Sequence, residues 1–303
     1  MKRMLSLLGL VGILCGANLL VAQTQTHELE TIWEKHPADY PEFFGTNHIV
    51  RGLAYNPVTN HLIVASRRDD SLHRIDAADG TYLGTLDMTG VTGGHFNVNK
   101  VGVAADGAIY LGNMASNTTE DAFNLYRWAD EDAAPVRVYS GNPGDAAPEN
   151  RWGDSLDVRG SGADTEILLG SYAGTMLAVL RPDGDPAAPD SYAVQQIVTD
   201  AAATALRNVT FGPGNLVYAT RAGTSLYELE IDYSTGTVVN QREFDDSKVA
   251  VGISPIGYGE GEDLLAGIWS DLHTVMVYRR THLSEEWLAL PIALEPVSAP
   301  GEN

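Results

Sequence analysis

The chain has 303 residues, 44% of them apolar, and a formal net charge of −21 at neutral pH. That length can bury a sizeable core in one or two domains, while that charge repels nucleic acid and anionic lipid headgroups at ordinary salt, so DNA, RNA and peripheral membrane binding are disfavoured. The single cysteine, Cys15, falls in a leader that reads as removed, which excludes disulfide staples, thiolate zinc sites and a cysteine nucleophile from the mature chain.

Lys2 and Arg3 precede an apolar run from Leu5 to Ala22 that Gly9, Gly12 and Gly16 interrupt, and no acidic residue occurs before Glu28. This is the pattern of a secretory signal peptide over residues 1–22, cleaved after Ala22, and it predicts a secreted or periplasmic product. A transmembrane anchor is the competing reading, but the run is barely long enough to span a bilayer and ends in small residues. Leu14 before Cys15 is not small, which argues against lipidation. The leader holds two of the 19 basic residues and none of the 40 acidic ones, so the remainder is more acidic still.

Next comes THELETIWEKHPADYPEFFGTN, in which Leu29, Thr31 and Trp33 alternate as on a strand before Pro37 and Pro41 stop it. Residues 28–35 are predicted as a strand that closes the structure on itself. From Arg51 to Asp87 four short strands follow: RGLAY, HLIVAS, LHRID and TYLGTLD, separated by Asn-Pro, charged and Ala-Asp-Gly turns. The branched and aromatic residues suit a half-buried pleated surface, and Asn, Asp, Gly and Pro supply the turn dihedrals.

The same four-strand unit recurs. The second unit reads NKVGVAA, AIYLGNM, FNLYRWA and APVRVYS; the third SLDVRG, TEILLGSY, TMLAVLRP and YAVQQIVT. The fourth reads LRNVTFG, NLVYATR, TSLYELEID and TVVNQREF; the fifth VAVGISP, DLLAGIW, HTVMVYRR and EEWLALPIA. First turns fall near Asn56, Asp106, Gly160, Gly212 and Pro255, at spacings of 50, 54, 52 and 43 residues. Long helical periodicity is absent, with one helical turn expected at most, at residues 201–206. Four antiparallel strands recurring in this way predict an all-β fold, a β-propeller of about five four-stranded blades, or six if the two ends combine. The expected layout is one propeller domain over residues 23–297, with a frayed tail at 298–303.

LAYNPVTNHLIVAS with IDAADGTYLGTL resembles blades of the NHL, YVTN and lactonase-like propellers. Trp33, Phe43 to Thr46, Arg51 to Pro57, Thr89 to Phe96 and Tyr126 to Trp128 together resemble an uncharacterised family of secreted bacterial domains. Both resemblances imply a propeller and secretion; the second implies no activity.

Propellers gather ligands where innermost strands converge at one mouth of the channel. Counting back from each first turn, the polar residues there are Arg51, Asn99 with Lys100, Asp154, Arg207 with Asn208, and Lys248. Four cations at equivalent positions in so acidic a chain predict a grip on a carboxylate, a sulfate or sugar hydroxyls, with arginine offering a planar fork. The bland account is that they cap strand ends and pair with Asp154. Trp152, beside Arg151, is the candidate stacking surface.

The resemblance to calcium-dependent lactonases implies a metal ligand at Asn208, with Asp154 as a second. Arg51, however, stands where those enzymes carry a glutamate, and no third carboxylate is evident. No cofactor is expected, Ca²⁺ being the one ion this pair or the acidic turns could take. Gly153-Asp154-Ser155-Leu156 spells the start of an esterase motif, but the context is all-β and Ser270 stands where an Asp should precede His273. The histidines form no HxH or HExxH pattern. The reading is therefore of a monomeric binding module for a small anionic or polyol ligand, or a protein partner. A calcium-dependent hydrolase and a structural module of a surface assembly are the alternatives.

Overall fold

The computed structural model describes residues 30–44, 49–144, 151–172, 174–199, 206–221, 226–244, 250–259, 262–269, 274–280 and 287–294. Among them the only helical elements are two three-residue 3-10 turns, Pro37–Asp39 and Gly162–Asp164. The strands fall into five groups of four. Blade 1 is β1 (Val50–Asn56), β2 (His61–Ser66), β3 (Ser71–Asp76) and β4 (Tyr82–Thr85). Blade 2 is β5 (Phe96–Val103), β6 (Ile109–Met114), β7 (Phe123–Trp128) and β8 (Val136–Gly141). Blade 3 is β9 (Asp157–Arg159), β10 (Glu166–Gly170), β11 (Met176–Pro182) and β12 (Tyr192–Val198). Blade 4 is β13 (Leu206–Phe211), β14 (Leu216–Arg221), β15 (Leu226–Asp232) and β16 (Thr237–Phe244). Blade 5 is β17 (Ala250–Gly259), β18 (Glu262–Trp269), β19 (Thr274–Arg280) and β20 (Leu288–Leu294).

Within each blade neighbouring strands pair antiparallel in chain order, and one parallel pair, Val198 with Thr237, joins the outer strands of blades 3 and 4. The hairpins form locally because short acidic and amide side chains bond their own turns. Asn56 Oδ1 accepts from Val58 N at 3.0 Å, Asp76 Oδ1 from Ala78 N at 2.8 Å, and Asp232 Oδ1 from Ser234 N at 2.8 Å.

The first strands of all five blades line one cavity of 320 Å³, with Leu53, Val101, Val158, Asn208 and Ile253 among its lining residues. This is the axial channel of a β-propeller. Apolar cores fill the spaces between successive blades. Ile63, Leu72, Ile109 and Trp128 lie between blades 1 and 2, and Phe123, Trp152, Leu169 and Leu180 between blades 2 and 3. Leu168, Val209 and Tyr227 lie between blades 3 and 4, and Tyr218, Leu265 and Trp287 between blades 4 and 5. Burying each such side chain contributes about 1.5–3 kcal/mol, so a chain without disulfides is held by these four seams.

The fifth boundary, between blades 5 and 1, differs. Alternation turns Gly52 and Ala54 towards blade 2, where a Cβ on Gly52 would lie 2.8 Å from Val101 N. Leu53 and Tyr55 therefore face the other way and are 63% and 51% exposed, as Ile256 of blade 5 is at 50%. Farther out on that face of blade 1, Val64 and Ile75 are covered by Tyr40 and Phe43 of the N-terminal segment.

That segment corrects the expectation of a closing strand at residues 28–35. Residues 30–35 are in no ladder: Trp33 Nε1 donates to Ala77 O at 2.8 Å, and Tyr40 OH to Gly80 O at 2.6 Å. Each sheet already draws four strands from its own hairpins, so the leading segment is free to plug the side of blade 1. Residues 201–205, where a helical turn was expected, and 298–303 lie outside the described residues.

Candidate functional site

The first strands run in one sense, so their starting residues collect at one end of the channel. An antiparallel second strand returns to that end, which brings the turn between second and third strands there too. The strand starts are irregular. Register slips between Val50 and Gly52, between Phe96 and Lys100, between Leu206 and Asn208, and between Ala250 and Gly252. Bulges of this kind re-aim side chains out of the pleat. They release Arg51 and the backbone position of Arg207 from ordinary pairing and leave Asn97 to Asn99 without partners on β6 before Lys100.

Around this mouth the structure brings together Arg51 from β1, Arg67 from the β2–β3 turn, Asn99 and Lys100 from β5, and Arg151 with Asp154 from the approach to β9. Arg67 reaches across from blade 1 to blade 2. Its Nη2 donates to Asn99 Oδ1 and to Met114 Sδ (3.5 Å), and its guanidinium lies 3.6 Å from the centre of the Phe96 ring. Asn99 is fully buried and in turn donates from Nδ2 to the Gly153 carbonyl, so one amide aligns three blades. Gly153 has φ +93°, and a Cβ there would overlap the Asn113 carbonyl, so only glycine fits this crossing. Arg151 grips Asp154 through Nε (2.5 Å) and Nη2 (2.7 Å) and packs 4.5 Å over Tyr172.

The charges do not balance. Asp154, 5% exposed, is the one carboxylate acting strongly on Arg67 and Lys100 among the described residues, and both oxygens are already engaged by Arg151. Arg51 and Lys100 make no hydrogen bond or ion pair with described residues, and the acceptors of Arg67 are a neutral amide oxygen and a thioether. The Nε atoms of Arg51 and Arg67 are buried and unpartnered. Two like charges roughly 4–8 Å apart repel by about 2–4 kcal/mol at an effective dielectric of about 20. Burial, then Arg51 and Arg67, pull the Lys100 ammonium down to about 8 against the opposing field of Asp154. Burial, then Arg51 and Arg151, lower Arg67 to about 10, again against Asp154.

The other residues singled out from the sequence are placed as follows. Trp152 is fully buried in the core between blades 2 and 3, pinned by a β-bridge to Ala115, and offers no exposed ring face. Asn208 donates from Nδ2 to Ile253 O at 2.8 Å and so ties blade 4 to blade 5. Arg207 lies in β13, but its side chain, like the whole of Lys248, lies outside the described residues. Among the described residues no group of three His, Cys, Asp or Glu side chains converges in a way that could hold a metal ion. Asp154 is turned to Arg151 and Asn208 to a backbone carbonyl rather than to a shared centre. Arg67 and Arg151 were not among the predicted site residues. Counting the turn after each second strand, as well as the start of each first strand, finds Arg67.

No protein-family model and no curated protein sequence matches the chain. Solved structures do. A chain of the nidogen/laminin complex is similar at a TM-score of 0.53 and 10% identity, over 82% of this chain and 80% of that one. An auxiliary nutrient binding protein from Bacteroides ovatus is similar at a TM-score of 0.53 and 14% identity, over 76% of this chain and 54% of that one. The dihydro-heme d1 dehydrogenase NirN, in complex with DHE, is similar at 0.49 and 15% identity, over 83% of this chain and 47% of that one. The chain thus spans about half the length of the last two. At such identities the likeness is one of fold, and the fold is that of the β-propeller.

Proposed function

We propose that the chain is a propeller binding module that takes a small anion, a carboxylate or a sulfate, at the channel mouth formed by Arg51, Arg67 and Lys100. One observation carries the reading: three half-buried cations converge without a carboxylate partner, in a chain whose net charge is −21. Guanidinium forks suit planar oxyanions, and the register slip beside Arg51 together with the Asn99 contact to Arg67 supports their gathering at the mouth. The leader at residues 1–22 would deliver the module outside the cytoplasm as a single monomeric domain. Small anionic metabolites and the acidic groups of extracellular polymers are the corresponding ligand chemistry.

The test is thermal unfolding at constant ionic strength with sulfate or citrate exchanged for chloride. A ligand at about 100 times its Kd stabilises by about 2.7 kcal/mol. The wild-type chain should gain a saturable increment of stability with rising anion, and the Arg51→Met/Arg67→Met double variant should gain only the non-saturating increment that excluded anions give any protein. Equal stabilisation of both proteins overturns the assignment.

A further inference from the structure

We infer that the mouth selects ligands bearing two negative charges over those bearing one, and that Lys100 is the group that makes the distinction. The inference rests on the anion-binding reading above and adds the charge class of the ligand.

Three cations gather at the mouth, and none makes a hydrogen bond or ion pair with a carboxylate among the described residues; the one carboxylate acting on Arg67 and Lys100, Asp154, is held by Arg151. Arg67 is held in place by Asn99, Met114 and Phe96, none of which carries a charge. Arg51 projects from its bulge with a buried, unpartnered Nε. Lys100 follows Asn99, whose amide holds Arg67, and β5 runs so close beside β1 that a Cβ on Gly52, next to Arg51, would lie 3.2 Å from Asn99 O and 2.8 Å from Val101 N. A single negative charge on the two arginines would leave the Lys100 ammonium still facing an excess of positive charge. A second negative charge removes that excess. Arg67, lowered to about 10, keeps most of its charge up to pH 9.5, so Lys100 is the first of the three to withdraw its charge as pH rises. The charged groups acting on it are Arg51 from β1, Arg67 from the β2–β3 turn, and Asp154 from the approach to β9. Its depressed ammonium, near 8, puts that withdrawal within reach of a binding experiment.

The experiment is calorimetric titration of the full chain with acetate and with malonate, and with methyl sulfate and with sulfate, at fixed ionic strength, at pH 7 and pH 9.5. At pH 7 each dianion should bind about tenfold or more tightly than its singly charged analogue. At pH 9.5 most of that advantage should vanish in the wild type. Lys100→Met should show a much smaller preference that no longer changes with pH, whereas Lys100→Arg should keep the preference and lose its pH dependence. The arginine variant keeps the charge, so it speaks even if the methionine variant fails to fold. Equal wild-type affinity for mono- and dianions at pH 7 overturns the inference and leaves the anion site standing, as does an undiminished preference in Lys100→Met. Failure of all four probes to bind overturns the anion site as well.

Discussion

Two clusters of basic residues in this propeller use the same chemistry to opposite ends. In the seam between blades 4 and 5, Arg280 is 1% exposed and every face of its guanidinium is answered. Nη1 donates to Glu228, Nε to Asp263 at 3.1 Å and Nη2 to Tyr218 OH at 2.8 Å, while Trp287 lies 4.5 Å from it. Burial alone would lower its pKa, yet Tyr218, Glu228 and Asp263 outweigh burial and raise it. At the channel mouth, Arg67 and Lys100 are lowered instead: burial is the largest cause, neighbouring cations add to it, and the nearby carboxylate, gripped by Arg151, does not offset them. The far end of blade 1 follows the Arg280 pattern. Buried Glu131 there accepts from Asn56 at 2.8 Å and Thr59 at 2.5 Å and meets His61 Nδ1 at 2.7 Å. Arg280 and Glu131 are buried together with their partners, whereas Arg51 and Arg67 keep buried Nε atoms without one.

The sharpest way to break that contrast is to remove a cation from each cluster. Arg280→Met strands two carboxylates in a seam and should cost about 3–5 kcal/mol, which denaturant unfolding would read as a lower midpoint at unchanged slope. Arg51→Met removes a charge that repels both Arg67 and Lys100, and should leave stability unchanged or raise it by about 0.5–1 kcal/mol. If Arg51→Met destabilises as much as Arg280→Met, the mouth cluster is structural glue and the anion site loses its basis.

Much of the blade pattern is legible in the residues themselves because it is local. Asn56, Asp76 and Asp232 announce their turns by bonding them, and five strand sets at near-regular spacing leave few architectures open. The mouth is only half legible. Arg51, Asn99, Lys100 and Asp154 follow from counting back along first strands, but Arg67 comes in from a turn one strand later and Arg151 from a loop. Their convergence depends on how blades sit side by side, which no single segment encodes. Trp152 misleads for a related reason. Its position before an inner strand suggests a mouth residue, while the bridge to Ala115 turns its ring into the seam. Leu29, Thr31 and Trp33 alternate as a strand would, yet Trp33 is recruited through its indole N–H rather than through a ladder.

A smaller effect than the loss of Arg280 is expected where the mouth meets the scaffold. Gly153→Ala forces a Cβ against the Asn113 carbonyl at a positive φ and should cost about 1–3 kcal/mol. Gly153 also carries the carbonyl that Asn99 grips, and Asn99 carries Arg67. The substitution should therefore weaken anion binding beyond its effect on folding. Unchanged affinity in a folded Gly153→Ala variant would show that Arg67 holds its place without that chain of contacts.

The smallest effect is a dependence of stability on pH that belongs to Lys100 alone. In the unfolded chain a lysine titrates near 10.4, whereas in the fold Lys100 titrates at about 8. Between those values the unfolded state binds more protons, so stability rises as pH rises. The penalty of keeping Lys100 charged is fully present below about 8 and fades as pH climbs above it. Arg67, lowered to about 10, keeps its charge through most of that window. Burial holds Tyr139 up to about 12, so above about pH 10 tyrosines of the unfolded chain ionise first and stability turns down again. Between pH 8 and 9.5 the wild type should therefore gain stability relative to Lys100→Met. Saturating sulfate should flatten the difference, because a bound dianion restores the ammonium to an ordinary environment. A wild type that tracks Lys100→Met across this window would mean that the cations at the mouth do not feel one another, and the contrast with Arg280 would reduce to geometry without electrostatics.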